Sequence, residues 1–128
     1  MKKIFFVAAM IFITVALFAS GISEEDIRQE YASKGFPNRD AWLYEFNSVA
    51  NNLVRYSESI TSGTSWSLSN DKYLFDGACA RYKVLLDMGV ELGYINDNTR
   101  RQQITRAEDE RRKVAQYLAS QSSGLGLE

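Results

Sequence analysis

Few side chains in this chain of 128 residues are of the types that carry out catalysis or bind metal ions. The sequence has no histidine and a single cysteine, Cys79. Without histidine, neither a Ser-His-Asp triad nor a Cys-His pair can form, and zinc sites lose their usual nitrogen ligand. These counts single out no catalytic residue, no cofactor site and no metal site. They also exclude an intramolecular disulfide, so we expect Cys79 to be a buried, unreactive core residue.

Two arginines fall at positions where the helical pattern expects apolar residues. Arg81 and Arg111 each lie three or four positions from an alanine of an apolar stripe. Such an arginine usually lays its methylene stem along the edge of the core and extends its guanidinium into water. The alternative is a pair of buried guanidiniums that face a carboxylate, such as Glu45 or Glu58, or a bound anion. Arg81 and Arg111 are therefore candidate residues of an anion site.

A loop rich in small polar residues provides a second candidate site. It spans residues 62–70, with the sequence SGTSWSLSN, and holds Trp66 between Ser65 and Ser67. Such a tryptophan either folds down as a lid over the end of the protein core or stands exposed as an anchor for a partner, since tryptophan is enriched at binding hot spots. Because loops on rigid scaffolds often hold binding residues, we expect Ser65, Trp66 and Ser67 to form the binding surface.

The most strongly charged stretch places six basic residues within positions 100–113. Acidic residues interleave with them, and acids precede bases by four positions, as in the pairs Asp97–Arg101, Glu108–Arg112 and Asp109–Lys113. That order favours ion pairs on an exposed helix face, whereas a nucleic-acid-binding helix presents unpaired basic residues on one side. The pattern therefore indicates a solvated helix and predicts no nucleic-acid partner. A patch for an acidic protein or for lipid headgroups is the alternative.

The elements that must position these residues are helices. Apolar residues at alternating steps of four and three predict a helix over residues 38–61, with Asn38 as its N-cap. Further helices are predicted over residues 23–34, 71–93 and 97–119, and the one over 71–93 is apolar on two faces, as a central helix is. The expected fold is all-α, a small bundle of three to four helices. The facing stripes are Trp42, Phe46, Val49, Leu53 and Tyr56, and Leu74, Ala78, Tyr82, Leu85 and Leu92.

The N-terminal segment has the layout of a secretory signal peptide. Two lysines precede an uncharged apolar run of 16 residues, positions 4–19, and small residues follow the run directly. The run is shorter than the ~20 residues that a helix needs to cross a bilayer. We therefore predict a signal peptide over residues 1–21, a helical domain over 22–120 and a disordered tail over 121–128. An uncleaved membrane anchor is the alternative.

The predicted export and the absence of catalytic motifs reduce the number of functional classes that fit the sequence. Beyond position 21 the chain carries thirteen basic and sixteen acidic residues, a net charge of −3. We expect a periplasmic or secreted, non-catalytic binding protein of the cell envelope, such as an inhibitor, an immunity or exclusion factor, or an accessory subunit, whose partner is another envelope protein. One alternative is a membrane-tethered structural piece, which requires an uncleaved N-terminal segment. Another is a small histidine-independent enzyme that acts on an anionic or glycan substrate.

Overall fold

The computed structural model describes residues 23–124, which form four helices. Helix α1 spans Glu24–Lys34, α2 spans Arg39–Thr61, α3 spans Leu68–Glu91 and α4 spans Asp97–Gly124. No strand occurs within these residues, so the predicted all-α fold is confirmed. The predicted signal peptide lies outside the described residues. None of the four helices combines the length and the apolar character that a bilayer crossing requires.

Capping residues mark the beginning of α1 and α2, and a glycine marks the end of α1. The Ser23 hydroxyl accepts hydrogen bonds from two backbone N–H groups in the first turn of α1, at 3.1 and 3.4 Å. The Asn38 side chain accepts one in the first turn of α2, at 2.8 Å. Gly35 follows α1 with a φ of +75°, a conformation that glycine adopts at little cost. The predicted N-cap at Asn38 and the predicted extent of the first helix are therefore confirmed.

Two helix boundaries differ from the prediction. Helix α3 begins at Leu68, before the predicted start at Asp71, because Ser67 acts as its N-cap and accepts a hydrogen bond from the Asn70 backbone N–H at 3.4 Å. The loop before α3 is shorter as a result. Helix α4 continues to Gly124, into the segment predicted as a disordered tail. No proline or glycine occurs between the predicted end of that helix and Gly124, so no residue type stops it earlier.

Helix α3 is central, because α1, α2 and α4 all pack against it. Trp42 and Phe46 of α2 are buried together with Tyr82 and Leu85 of α3. The Trp42 indole N–H donates a hydrogen bond to the Leu85 carbonyl oxygen at 2.8 Å. The ring centroids of Phe46 and Tyr82 lie 4.9 Å apart. The predicted packing of the second helix on a central third helix is therefore confirmed.

Two leucines that were assigned to this interface are exposed instead. Leu74 is 36% exposed and Leu92 is 46% exposed. Leu74 lies near the beginning of α3, where it borders an open groove rather than the closed core. Leu92 is the C-cap residue of α3, so the helical stripe that should have buried it ends there. The residues of α3 that pack in the core therefore lie in the middle of the helix, and apolar side chains near both of its ends are exposed to solvent.

Helix α1 crosses α3 and buries only two side chains, those of Ile27 and Tyr31. The Tyr31 hydroxyl donates a hydrogen bond to Glu45 of α2 at 2.9 Å. The other links are ion pairs: Lys34 pairs with Glu45 of α2, and the pairs with α3 are Glu24–Lys83, Arg28–Asp87, Arg28–Glu91 and Glu30–Arg81. Helix α1 is therefore held mainly by charged groups, unlike the helices of the core.

Candidate functional site

Trp66 extends into solvent from the loop between α2 and α3. Its relative exposure is 102%, so no side chain of the described residues covers the ring. The interpretation of Trp66 as a lid over the core is therefore wrong. The turn at Gly63 lies beside α4 instead: a Cβ atom at Gly63 would be 3.2 Å from the Tyr117 hydroxyl oxygen. The turn before Trp66 therefore lies close to α4, while the Trp66 ring itself is in solvent.

The loop that carries Trp66 is held by hydroxyl groups that converge on one carboxylate. The Ser65 hydroxyl donates to Asp71 Oδ2 at 2.6 Å, and the Ser59 hydroxyl donates to the same oxygen at 2.9 Å. The Ser65 and Ser59 hydrogen bonds lower the pKa of the Asp71 carboxyl, so that it is a charged acceptor at neutral pH. Ser59 lies in α2 and Asp71 in α3. The loop is therefore fastened to α3 through Ser65, and the Ser59 hydrogen bond joins α2 to α3 at the base of the loop.

The three loop residues that the sequence singled out have different roles in the structure. Ser65 binds Asp71, and Ser67 is the N-cap of α3, so both hydroxyls make hydrogen bonds that maintain the local fold. Trp66 lies between them with its side chain free of both networks. The two serines thus fix the backbone on either side of the exposed indole.

More apolar surface near the loop was missed by the sequence reasoning. Tyr73 is 47% exposed, and with Leu74 it borders a shallow groove of about 210 Å³ between α2 and α3. Gly77 and Arg81 line the same groove. No periodicity in the sequence marks this groove, because Tyr73 is exposed whereas Gly77, four residues further along α3, is buried.

Arg81 is anchored by α1 rather than by the carboxylates that were expected. Its guanidinium pairs with Glu30, and its Cζ atom lies 5.6 Å from the centroid of the Tyr31 ring. The pairing raises the pKa of Arg81 and lowers that of Glu30. Glu45, one of the proposed partners, accepts a hydrogen bond from Tyr31 instead. Arg81 is therefore half-buried and compensated, and its contacts hold α1 in place.

Arg111 and Arg81 lie on different helices and line different clefts, so their guanidiniums do not come together. Arg111 is exposed on α4 and borders a cleft between α3 and α4 that Cys79 also lines. Arg81 instead lines the groove between α2 and α3. The structure therefore does not unite Arg81 and Arg111 in one anion site.

Cys79 is half-buried, so the predicted burial is only partial. Burial raises the pKa of its thiol to about 12, which keeps the group protonated at neutral pH. Within residues 23–124, no three side chains of histidine, cysteine, aspartate or glutamate are grouped so that they could hold a metal ion. The arrangement around Cys79 thus offers neither a nucleophile nor a ligand set.

The charged stretch of α4 forms ion pairs along the helix, but mostly in another register than the one expected. Arg101 pairs with Asp97 at 2.8 Å, as predicted. The predicted pairs Glu108–Arg112 and Asp109–Lys113 are replaced by pairs three residues apart, Asp109–Arg112 at 3.0 Å and Glu110–Lys113 at 3.3 Å. Spacings of three and four both bring side chains together on a helix, so the sequence alone does not choose between them.

A second cleft, of about 400 Å³, lies between α2 and α4. Trp42, Phe46 and Tyr82 contribute to its floor, and Arg39 and Arg106 lie among its polar lining. Sequence reasoning missed this cleft because its aromatic residues belong to the core stripes of α2 and α3. Their periodicity indicates burial, and it does not indicate how closely α4 covers them.

Comparison with known proteins adds no relative. No protein-family model matches the chain, and no curated protein or solved structure matches it.

Proposed function

We propose that this is a small exported helical protein that acts as a non-catalytic binding protein of the cell envelope and contacts another envelope protein through Trp66. The observation that carries the proposal is the complete exposure of the Trp66 indole on a fastened loop. A large aromatic side chain held in water gains most from burial against a partner, and tryptophan is among the commonest hot-spot residues of protein interfaces.

The hydrogen bonds of the loop favour such a role. Binding loses affinity when a loop must become ordered at the interface. Here the Ser65 hydroxyl already ties the loop to Asp71, so that less conformational entropy remains to be lost. Tyr73 and Leu74 add partly exposed apolar surface near the beginning of α3. Together these features support a partner surface centred on Trp66 with an apolar flank along α3.

The same features fit an inhibitor, an immunity or exclusion factor, or an accessory subunit of an envelope assembly. Each of these roles requires a stable scaffold with an exposed contact residue and no reacting groups. The half-buried, protonated Cys79 thiol and the hydroxyls of Ser65 and Ser67, which are used in the fold, agree with a role without catalysis.

Trp66→Ala tests the proposal directly. The wild-type protein and the variant are used as baits in parallel on envelope extracts of the source organism, and the retained partner is then titrated with each by calorimetry. We expect the variant to lose at least about 2 kcal/mol of binding free energy, as hot-spot residues do. Tyr44→Ala is the matched control, because Tyr44 is also an aromatic residue, 79% exposed, but lies on α2 away from the loop. A partner that binds the Trp66 variant as tightly as the wild type would refute the proposal.

Export is tested separately by mass spectrometry of the N-terminus after expression in a bacterium. The basic start, the apolar run and the small residues that follow it support cleavage before Ile22. We expect a mature protein that begins there and is recovered outside the cytoplasm. A protein that retains Met1 and stays with the membrane would favour the anchored alternative.

A further inference from the structure

The cleft between α2 and α4 has the size of a small-molecule site. Its volume of about 400 Å³ falls within the range of ~300–1,000 Å³ that is usual for ligand pockets, and such pockets often lie between helices of bundles. Ala50 of α2 and Ala107 of α4 both line it. Because neither side chain extends beyond Cβ, the space between the two helices is left unfilled.

The floor of the cleft is apolar in character. The two floor residues that carry donor groups use them within the protein: the Trp42 N–H binds the Leu85 carbonyl oxygen at 2.8 Å, and the Tyr82 hydroxyl donates to Gln103 at 2.9 Å. Phe46 stacks on Trp42, with ring centroids 5.3 Å apart. A ligand in the cleft would therefore meet aromatic and aliphatic surface at its base, which suits an apolar body.

The polar lining includes a cation, Arg106, that forms no ion pair within residues 23–124. Arg106 would be expected to pair with an acid three or four positions further along α4. Asp109 is paired with Arg112 at 3.0 Å, and Glu110 is paired with Lys113 at 3.3 Å. Among the described residues, Arg106 makes only a long hydrogen bond of 3.4 Å, to a neutral glutamine. Its charge is therefore available to a ligand.

Two further observations place positive charge at the cleft. The pKa of Tyr82 on the floor is raised by burial, and the charge of Arg106 acts in the opposite direction, so that this guanidinium is close enough to influence the floor. Arg39 also lines the cleft, where its Nε atom donates to the Tyr94 carbonyl oxygen at 3.1 Å. Glu110 is a carboxylate of the lining, and its oxygens accept from the Ser57 hydroxyl at 2.6 Å and pair with Lys113 at 3.3 Å. No carboxylate within residues 23–124 pairs with Arg39 or Arg106 at ion-pair distance.

We propose that this cleft binds a small amphipathic carboxylate, with its carboxylate on Arg106 and its apolar body over Phe46 and Ala50. The planar guanidinium matches a carboxylate through two parallel hydrogen bonds. An apolar body suits a floor whose donor groups are already used. The proposal is independent of the protein-binding role of Trp66, since the two features lie on different parts of the molecule.

Decanoate is the probe, and the two tryptophans of the chain provide the readout. The ¹⁵N-labelled protein is titrated with decanoate while the indole N–H signals of Trp42 and Trp66 are followed by NMR. We expect the Trp42 signal, which reports on the cleft, to shift and saturate while that of the exposed Trp66 stays unchanged. A Trp42 signal that does not move, or equal shifts at both indoles, would overturn the proposal.

Matched variants test the role of the charge. Arg106→Gln should weaken decanoate binding by about tenfold or more, because a charge-assisted pair is lost. Arg112→Gln removes an arginine of the same helix that is already paired with Asp109 and lies outside the cleft lining, so we expect a change of at most about twofold. The neutral analogue 1-decanol should bind about tenfold more weakly than decanoate to the wild type. Equal affinities for the two compounds, or equal losses in the two variants, would contradict the assignment.

Filling the cleft provides an independent check that needs no change of charge. Ala107→Leu adds bulk at a position that lines the cleft, so it should abolish the decanoate response of Trp42. A thermal melt of the same variant confirms that it is folded. Retention of wild-type affinity in a folded Ala107→Leu protein would show that decanoate binds elsewhere.

Discussion

Trp42 and Trp66 are the two tryptophans of the chain, and their side chains are 1% and 102% exposed. Truncating Trp42 removes a buried aromatic ring and its hydrogen bond to Leu85, so Trp42→Ala should lower the free energy of unfolding by about 3–5 kcal/mol. Trp66→Ala removes no internal contact and should change it by less than about 0.5 kcal/mol. Urea denaturation followed by circular dichroism compares the two. A comparable loss in both variants would contradict the exposed position of Trp66.

The thiol of Cys79 should react slowly in the native protein, because burial raises its pKa to about 12. A thiol reagent at pH 8 should label the folded protein far more slowly than the protein unfolded in guanidinium. The folded state keeps the proton to a higher pH than the unfolded state, whose thiol ionises near pH ~8.5. Stability from this group is therefore present below that pH and is lost as the pH rises towards 12. Cys79→Ala should flatten the decline of the unfolding free energy above pH ~9, and an unchanged decline would count against this origin.

Residue-scale predictions succeeded where the cause is local. Ser23 and Asn38 cap helices through hydrogen bonds within their own first turns, so neighbouring sequence is enough to find them. The partner of Arg81 was missed, because Glu30 is 51 positions away in the sequence and is brought close only by the crossing of α1. For Trp66 the sequence left both a lid and an exposed anchor open, because the exposure of a loop side chain depends on contacts that only the fold determines.

At the scale of elements, α1 should be the helix most sensitive to salt. It buries only Ile27 and Tyr31, while its ion pairs with α3 are partly exposed and are therefore weak and screened. The Asp26 Oδ2 atom is also buried without a hydrogen-bond partner among the described residues, which further weakens docking. Raising the salt concentration to about 1 M should speed amide hydrogen exchange in α1 and leave the middle of α3 unchanged. A uniform change across all helices would contradict this prediction.

The close approach of α2 and α3 at Gly89 yields a sharper test of helix packing. A Cβ atom at Gly89 would lie 2.5 Å from Trp42 Cζ2, so the ring or the helix would have to shift. Gly89→Ala should therefore lower the free energy of unfolding by about 1–3 kcal/mol, despite the higher helix propensity of alanine.

The smaller ring in Trp42→Phe should relieve this clash, so the double variant should be less destabilised than the sum of the single changes. Urea denaturation of the four proteins in this cycle measures the coupling. Strict additivity would show that Gly89 and Trp42 do not limit the helix spacing.

Whole elements were predictable wherever their periodicity is strong. The stripe of α2 steps by four and three from Trp42 to Ile60, and all its large members are buried or half-buried. The same rule failed for Leu74 and Leu92, because periodicity indicates a face and not how far along the helix its neighbours extend. The start of α3 was missed for a different reason: three serines surround Leu68, and any of them can cap a helix.

For the whole molecule, the bundle could be derived from the sequence, but its clefts could not. A three-helix core with an added α1 follows from the number of apolar stripes and their faces. The cleft between α2 and α4 depends on Ala50 and Ala107 lying at the same level of neighbouring helices, and a single sequence does not indicate that alignment. The cleft therefore emerges only once the helices are placed together, whereas the Trp66 loop could be singled out from the sequence.

The overall charge distribution predicts that the protein does not bind DNA at physiological salt. Its net charge is −1, and on α4 the bases Arg101, Arg112 and Lys113 are each paired with an acid of the same helix. DNA binding requires unpaired cations that release counterions from phosphates. Fluorescence anisotropy with a labelled duplex in about 0.15 M salt should therefore give no saturable binding below a Kd of ~100 µM.

The double variant Glu108→Lys, Asp109→Lys provides the positive control for this measurement. It frees Arg112 and adds two cations on an exposed part of α4, so binding should appear and weaken steeply as salt is raised. Binding by this variant would show that the measurement detects attraction to DNA once the charge balance of α4 is reversed. Tight binding of the wild-type protein would instead show that Arg106 and Arg111, which pair with no acid among the described residues, act together on a polyanion.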